Sequence, residues 1–288
     1  MDMNHNYRIL VPFWGVEVDG LYVGHDTTEP FLMKSEHTHQ HYELLLNLSQ
    51  IPVRYTVNGT VIETNGPSVQ IRAPHIFHSM KVMSNETYRR VHVLFPDYIL
   101  RECGTLCDLS RLMKTYAVSI PLQDPQMKEL HSVICHLRRL QASNAPHSLQ
   151  IGVLAALLYE INAIPPADSF MNVQFPSYVY KIMSYIVENS GADCEVDTLA
   201  SRFFISRTKL IADFHAAANL TVHEYVTAVR LWRAKSMLAE GAPLSVIAAR
   251  CGYAQESSFL SMFRRETGVT PGEWRKTYST EIKKERVP

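Results

Sequence analysis

No apolar stretch in this 288-residue sequence approaches the roughly 20 residues that a membrane-spanning helix needs; the longest, such as "VLAALLY" at 153–159, are far shorter. No helical span is therefore expected. The opening "MDMNHNYRIL" lacks a basic segment followed by an apolar one, so no secretory signal is expected either, and a cytoplasmic location follows. Cysteine is scarce and unpaired in pattern. The five residues (Cys103, Cys107, Cys135, Cys194, Cys251) form no CxxC pair and are odd in number, which favours free thiols over a disulfide framework. There is no low-complexity tract, and no Ser-His-Asp arrangement, P-loop or glycine-rich dinucleotide fingerprint is recognisable. Net charge is absent too, since 28 Lys+Arg balance 28 Asp+Glu.

That balance hides a division. Residues 1–177 carry 13 basic and 16 acidic side chains, whereas residues 178–288 carry 15 and 12. The asymmetry is small, and alone it is weak evidence for a polyanionic partner. Between the halves, "IPPADSFMNVQFPS" (164–177) holds three prolines and interrupts the periodicity on both sides. It reads as a linker separating a domain at 1–163 from one at 178–288.

Upstream of the linker, residues 7 to about 95 read as β structure. "VRYTVNGTVIE" (53–63) is two strand-like runs around Asn58-Gly59, a strong hairpin signal, and "SVQIRAP" and "YRRVHVLF" are further strand candidates. From 124 to 163 the period becomes helical. Leu130, Val133, Ile134, Leu137 and Leu140 form one apolar stripe; Ile151, Leu154, Leu157, Leu158 and Ile161 form another. These stripes either cover the β domain or meet a second copy of the chain, and a homodimer is expected.

"EHTHQHYEL" (36–44) places His37, His39 and Glu43 in an HxHxxxE arrangement that resembles metal-binding cupins. On a strand these three would share one face. "APHIFH" (73–78) adds His78. Imidazoles and a carboxylate suit a first-row metal ion, but they equally suit a pocket that grips a small organic molecule. Candidate apolar walls are Leu44, Leu46, Tyr55, Val57, Ile71, Phe77 and Phe95. His41 is expected to face solvent, and the face of His92 stays open.

The downstream half repeats itself. "LASRFFISRTKLIADF" begins at Leu199 and "IAARCGYAQESSFLSMF" at Ile247. Ala200 matches Ala248 and Arg202 matches Arg250 at an offset of 48; Phe214 matches Phe263 and Thr221 matches Thr270 at 49. Each copy reads as short helix, tight turn, second helix, the grammar of a helix-turn-helix. "TVHEYVTAVRLWRAKSMLAEG" (221–241) reads as a long helix between them.

Residues 178–277 are similar to the double helix-turn-helix domain of the AraC/XylS regulators. The similarity rests on "LASRF", "LTVHEYVTAVRLWRAKSMLAEG", "SVIAARCGY" and "SSFLSMFRRETGVTPGEWRK". The upstream half more loosely resembles the cupin-like sensor barrel often joined to it. The resemblance implies an α+β two-domain fold: a cupin-like β-barrel with a helical dimerisation segment, then an all-α double helix-turn-helix. It implies base reading by Arg207, Thr208 and Ile211 on a helix capped by Ser206, and by Gln255, Glu256, Ser257 and Ser258 on its counterpart. Lys209, Arg264 and Arg265 would contact phosphates. Its barrels commonly keep their histidines without a functional metal, so no resident metal or cofactor is expected, and His37, His39, Glu43 and His78 become an effector pocket. Double-stranded DNA, a small-molecule effector, a second copy and RNA polymerase are the implied partners. The chain departs from the family at Ala212 and Ser261, where arginines are frequent, at Phe204 in the first turn, and at Asp213, all of which weaken the expected DNA contact. The alternative is a metal-dependent cupin enzyme with an accessory DNA-binding domain.

Overall fold

The computed structural model describes residues 20–28, 37–113, 115–164, 171–173, 175–191 and 193–277. The chain divides into two compact units, one holding the described residues up to Val173 and one those from Phe175 onward.

The first unit is built on two antiparallel sheets. One has the strand order β1-β7-β2-β5-β8-β9, from β1 (Tyr22–Thr28), β2 (Tyr42–Asn47), β5 (Ser68–Arg72), β7 (Tyr88–Phe95), β8 (Ala117–Pro121) and β9 (Met171–Val173). The other has the order β4-β3-β6, from β3 (Val53–Val57), β4 (Thr60–Thr64) and β6 (His78–Val82). The β3–β4 hairpin turns at Asn58-Gly59, both with positive φ, as the two-residue turn requires. Leu45 and Tyr88 of the larger sheet pack with Val53, Tyr55, Met80 and Val82 of the smaller one, so the sheets meet across a shared core. Four helices complete the unit: α1 (Asp97–Leu106), α2 (Ser110–Met113), α3 (Asp124–Ala142) and α4 (His147–Ala163).

Two expectations change here. Leu130, Ile134 and Leu137 of α3, and Ile151, Leu154, Leu157, Leu158 and Ile161 of α4, are buried within the unit, where α3 packs on α4 and α4 on α1. Burying these leucines and isoleucines inside one chain already satisfies their hydrophobic demand, so these eight residues pack within the unit, while Val133 and Leu140 of the α3 stripe stay partly exposed. The linker stretch also contains structure. Residues 165–170 and 174 lie outside the described residues, but Met171–Val173 pair with Ala117–Ser119 as an edge strand. Short edge strands carry little periodic signal, and the prolines beside this one mask it in the sequence.

The second unit is helical: α5 (Ser177–Glu188), α6 (Val196–Arg202), α7 (Arg207–Ala218), α8 (Val222–Ala239), α9 (Leu244–Arg250) and α10 (Glu256–Thr267), with residues 271–277 also helical. The sequence repeat persists in its hydrogen bonds. Ile205 N–H donates to Ala200 O and Tyr253 N–H to Ala248 O, each at 3.0 Å. Thr221 and Glu224 form a capping box, and Thr270 and Glu273 repeat its hydrogen bonds. Phe214, Tyr225, Phe259 and Phe263 are fully buried cores of the two halves.

Candidate nucleic-acid interface and candidate effector site

Each half of the second unit ends its first short helix in a left-handed residue, Phe204 (φ 54°) and Gly252 (φ 78°). That conformation reverses the chain tightly enough to throw α7 and α10 across their partner helices. Glycine adopts it without strain; Phe204 does so at a cost of roughly 1–2 kcal/mol, with its ring 95% exposed. Ser206 caps α7 by accepting a hydrogen bond from Lys209 N–H at 3.3 Å. Gln255 occupies the equivalent position before α10 without a side-chain cap.

The structure places all eleven residues expected to face DNA on the surface: Ser206, Arg207, Thr208, Lys209 and Ile211 at the start of α7, and Gln255, Glu256, Ser257, Ser258, Arg264 and Arg265 on or beside α10. Leu210 and Phe214 on the opposite side of α7, and Phe259, Met262 and Phe263 on that of α10, are buried and hold each helix down. The cations are not equivalent. Arg207 Nη1 lies 2.8 Å from Asp197, and Lys209 Nζ lies 2.7 Å from Asp213, which also accepts from Tyr178 Oη. Such exposed pairs are weak and salt-screened, so they yield to phosphate, but they lower the positive potential of the first half. Arg265 pairs with its neighbour Glu266 at 2.8 Å.

A groove of about 450 Å³ runs between α8 and α10, lined by His223, Thr227, Arg230, Tyr253, Ser257, Ser258, Ser261 and Arg265 among others. Arg230 and Tyr253 were not singled out in the sequence; their guanidinium–ring separation is 5.4 Å. Arg230 also explains how the two halves are held in one geometry. Its Nε donates to Ser190 O at 2.9 Å, and Arg233 Nη1 donates to Ser190 Oγ at 2.9 Å. Next to Ser190, Gly191 is so close to the end of α9 that a Cβ would stand 2.7 Å from Arg250 O. The loop before α6 is thus keyed to α8 and to the turn before α10.

In the first unit, His37, His39, Glu43 and His78 do converge, but by a different route from the one the spacing suggests. Only Glu43 lies on β2. His37 makes an isolated bridge to His78, exchanging backbone hydrogen bonds of 2.9 and 2.8 Å, and His39 lies in the irregular stretch between His37 and the start of β2. One nitrogen from each of His37, His39 and His78 lies within 4.8 Å of the others. Glu43 Oε2 is 3.1 Å from His78 Nε2 and 3.7 Å from His39 Nε2. The residue missed from sequence is Arg72, directly opposite Glu43 on β5, whose Nη1 donates to Glu43 Oε2 at 2.7 Å and whose Nη2 donates to Gln70. Its signal was the alternation in "SVQIRAP", which puts Ser68, Gln70 and Arg72 on one face.

That register corrects the expected walls. Leu44 pairs with Ile71 and Val93, and Tyr42 with Phe95, so Leu44, Leu46, Ile71 and Phe95 face away from the side that carries Glu43. Tyr55 and Val57 do share the inner side, Tyr55 lying under Arg72. The inner surface is therefore more polar than the apolar walls implied. His41 is buried, not solvated, and His92 is buried against Gly24, where a Cβ would overlap its ring at 2.2 Å.

Electrostatics follow from burial. Burial, then the neighbouring His78 and His39, holds His37 well below the ordinary histidine value; burial likewise lowers His78 and His75 to about 4. Burial alone would raise Glu43, but Arg72, His39 and His78 hold its carboxyl well below the usual range. At neutral pH His37 and His78 are therefore neutral imidazoles beside the Glu43–Arg72 carboxylate–guanidinium pair. His37 Nδ1, His39 Nε2 and His78 Nε2 are buried without a hydrogen-bond partner. Neutral imidazoles and a carboxylate are the donor types that borderline metal ions take, so the residues fit the ion that the cupin resemblance raises.

A helix-turn-helix family model matches residues 199–277, covering both short helix–turn–helix repeats and the helix between them. The second unit is an AraC-type helix-turn-helix domain. Relatives of this domain include the probable transcriptional regulator LumQ of Photobacterium leiognathi, 36% identical over 91 residues, which are 31% of this chain and 37% of LumQ. The RCS-specific transcriptional activator RclR of Escherichia coli is 38% identical over 95 residues, 33% and 34% of the two chains. The activator RhaR of Escherichia coli is 25% identical over 159 residues, 52% and 54%. The chain thus spans about a third to about half of the length of these relatives. Across both units the fold is that of ToxT from Vibrio cholerae, with a TM-score of 0.58 at 13% identity over 89% of this chain and 97% of that one. A β-rich first unit followed by an AraC-type domain is the arrangement expected from the sequence.

Proposed function

We propose that the chain is a ligand-responsive, sequence-specific transcriptional regulator that binds double-stranded DNA and has no enzymatic activity. The observation that carries this reading is the pair of exposed helices, α7 and α10, presented by two turns with matching hydrogen bonds. Their first residues offer hydroxyl, amide and guanidinium groups to base edges, and Arg264 and Arg265 follow one to two turns later toward phosphates. The two helices enter adjacent major-groove segments, about 34 Å apart along the duplex. The β unit supplies the effector site at His37, His39, Glu43 and His78. ToxT, which shares the fold, has been solved bound to an unsaturated fatty acid, which supports a small-molecule role for this unit. Among the described residues no helix is long and apolar enough to cross a membrane. The regulator reading puts its action on DNA in the cytoplasm, beside RNA polymerase.

The homodimer belongs to the outer face of α4. This helix is apolar on both sides, and its exposed side carries Leu149 (55% exposed), Gly152, Ala156 and Tyr159 (48%). A helix buried on one side only would be polar on the other. A Cβ at Gly152 would meet nothing within 4 Å, which leaves room for a second helix to approach. Ala156→Arg should leave the fold intact and convert dimers to monomers in sedimentation equilibrium; unchanged dimers would place the interface elsewhere.

The DNA reading is tested by fluorescence anisotropy on promoter and random duplexes. Affinity should fall steeply with salt as counterions are released. Arg264→Ala should weaken both duplexes by a similar factor and reduce the salt slope by about one. Binding that is indifferent to salt would sink the docking proposal.

A further inference from the structure

We infer that the first unit is a transition-metal site: His37, His39, His78 and Glu43 bind one divalent ion, for which Zn²⁺ is the best match, inside the β unit. This reverses the metal-free expectation drawn from the family resemblance. It shares with the regulator reading only the location of the site.

The case is geometric. A buried imidazole nitrogen without a partner is uncommon, because the interior offers no water to replace the lost hydrogen bond. Here three of them, His37 Nδ1, His39 Nε2 and His78 Nε2, occur in one cluster, and one nitrogen of each ring lies within 4.8 Å of the others. The opposite nitrogens of two rings are already engaged. His39 Nδ1 is 2.9 Å from His41 O and His78 Nδ1 is 2.9 Å from Ile76 O. A carbonyl can only accept, so each Nδ1 carries the proton and each Nε2 points its lone pair into the cluster. This is the outer-shell arrangement that fixes tautomer and ring orientation in metal-ligating histidines.

The fourth donor is at the right distance. Zn–N and Zn–O bonds of about 2.0–2.2 Å around a tetrahedral ion put neighbouring donors roughly 3.3–3.6 Å apart. Glu43 Oε2 stands 3.1 Å from His78 Nε2 and 3.7 Å from His39 Nε2. Arg72 competes for that same oxygen at 2.7 Å, so Glu43 is the weakest of the four donors and the imidazoles carry most of the affinity. Arg72 and Glu43 cancel in charge, which leaves the imidazole nitrogens to face the ion. No cysteine belongs to the cluster, which favours a borderline ion over one that demands thiolate.

The test uses the untagged full-length chain, stripped with a chelator and titrated with ZnCl₂ against a chromophoric competitor. About one Zn²⁺ per chain should bind, with a rise in the thermal midpoint of the β unit. His39→Gln and His78→Gln should each weaken binding at least tenfold, Glu43→Gln less, and the exposed His136→Ala not at all. Circular dichroism checks that the variants fold. Should they not, Co²⁺ in the wild type decides: strong visible ligand-field absorption of a tetrahedral nitrogen–oxygen site supports the inference, and the weak spectrum of a hydrated ion overturns it. Absence of stoichiometric Zn²⁺ binding, or binding that persists in a folded His39→Gln/His78→Gln double variant, also overturns it. Loss of DNA binding with intact Zn²⁺ binding would count against the regulator reading alone.

Discussion

Acidification from pH 7 to pH 5 should unfold the metal-free β unit while the helical unit stays folded. Among the described residues every buried histidine lies in the first unit. Three of them, His37, His75 and His78, have folded pKa values depressed by burial, His75 and His78 to about 4. The unfolded chain takes up protons near pH 6.5, whereas the folded unit does not until far lower. Stability is therefore full above pH 6.5 and falls as pH drops toward the folded values. At pH 5 the loss is about 2 kcal/mol for each of His75 and His78, about 4 kcal/mol from the pair, and His37 adds to it in the same direction; that is a large part of the stability of many domains. Glu43 acts in the same direction but only below its unfolded value of about 4.5, because its folded pKa is also depressed. Hydrogen-exchange pulses at one fixed pH, after incubation at a series of pH values with chelator, should show residues 42–95 losing protection first and α8 last. Protection of β2, β5 and β7 retained down to pH 4 would show that these histidines are not buried neutral.

Gly191→Val should disable cooperative reading by the two halves without touching a DNA-facing residue. Any Cβ at 191 would stand 2.7 Å from Arg250 O, a backbone atom at the end of α9 that cannot rotate away. The turn before α10 must move, and Ser190 must shift from Arg230 and Arg233, which hold it at 2.9 Å. The spacing of α7 and α10 then no longer matches one helical turn of DNA. Affinity for a duplex carrying both segments should fall at least tenfold, about 1.4 kcal/mol, while affinity for single-segment duplexes changes little. An equal loss on both kinds of duplex would mean general destabilisation instead of lost register.

The second unit was legible because helix-turn-helix information is local. Ser206, Asn219, Gly241 and Gly268 mark helix ends within a few residues, and the offset of 48–49 residues doubled every signal. The β unit was legible in its hairpin and its long strands, but not in its inner face. Leu44 and Leu46 read as pocket walls because they are strongly apolar; pairing with Ile71 and Val69 sends them outward. His37 and His39 were placed on a strand by their spacing, yet the cluster is assembled by a bridge from residue 37 to residue 78. Long-range pairing of this kind, like the partnership of Arg72 with Glu43 across 29 positions, leaves no trace in local periodicity. The helical stripes were correctly read as apolar; what covers them was a tertiary fact.

The central claim, that α7 and α10 together read two adjacent segments of duplex DNA, is tested most directly by selecting binding sites for the full-length chain from a random duplex library. Two blocks of preferred sequence should emerge, centred about 10 base pairs apart. Repeating the selection with Arg207→Ala should relax preference in one block, and with Ser257→Ala in the other. A single block, or two blocks whose preferences survive both substitutions unchanged, would contradict the account.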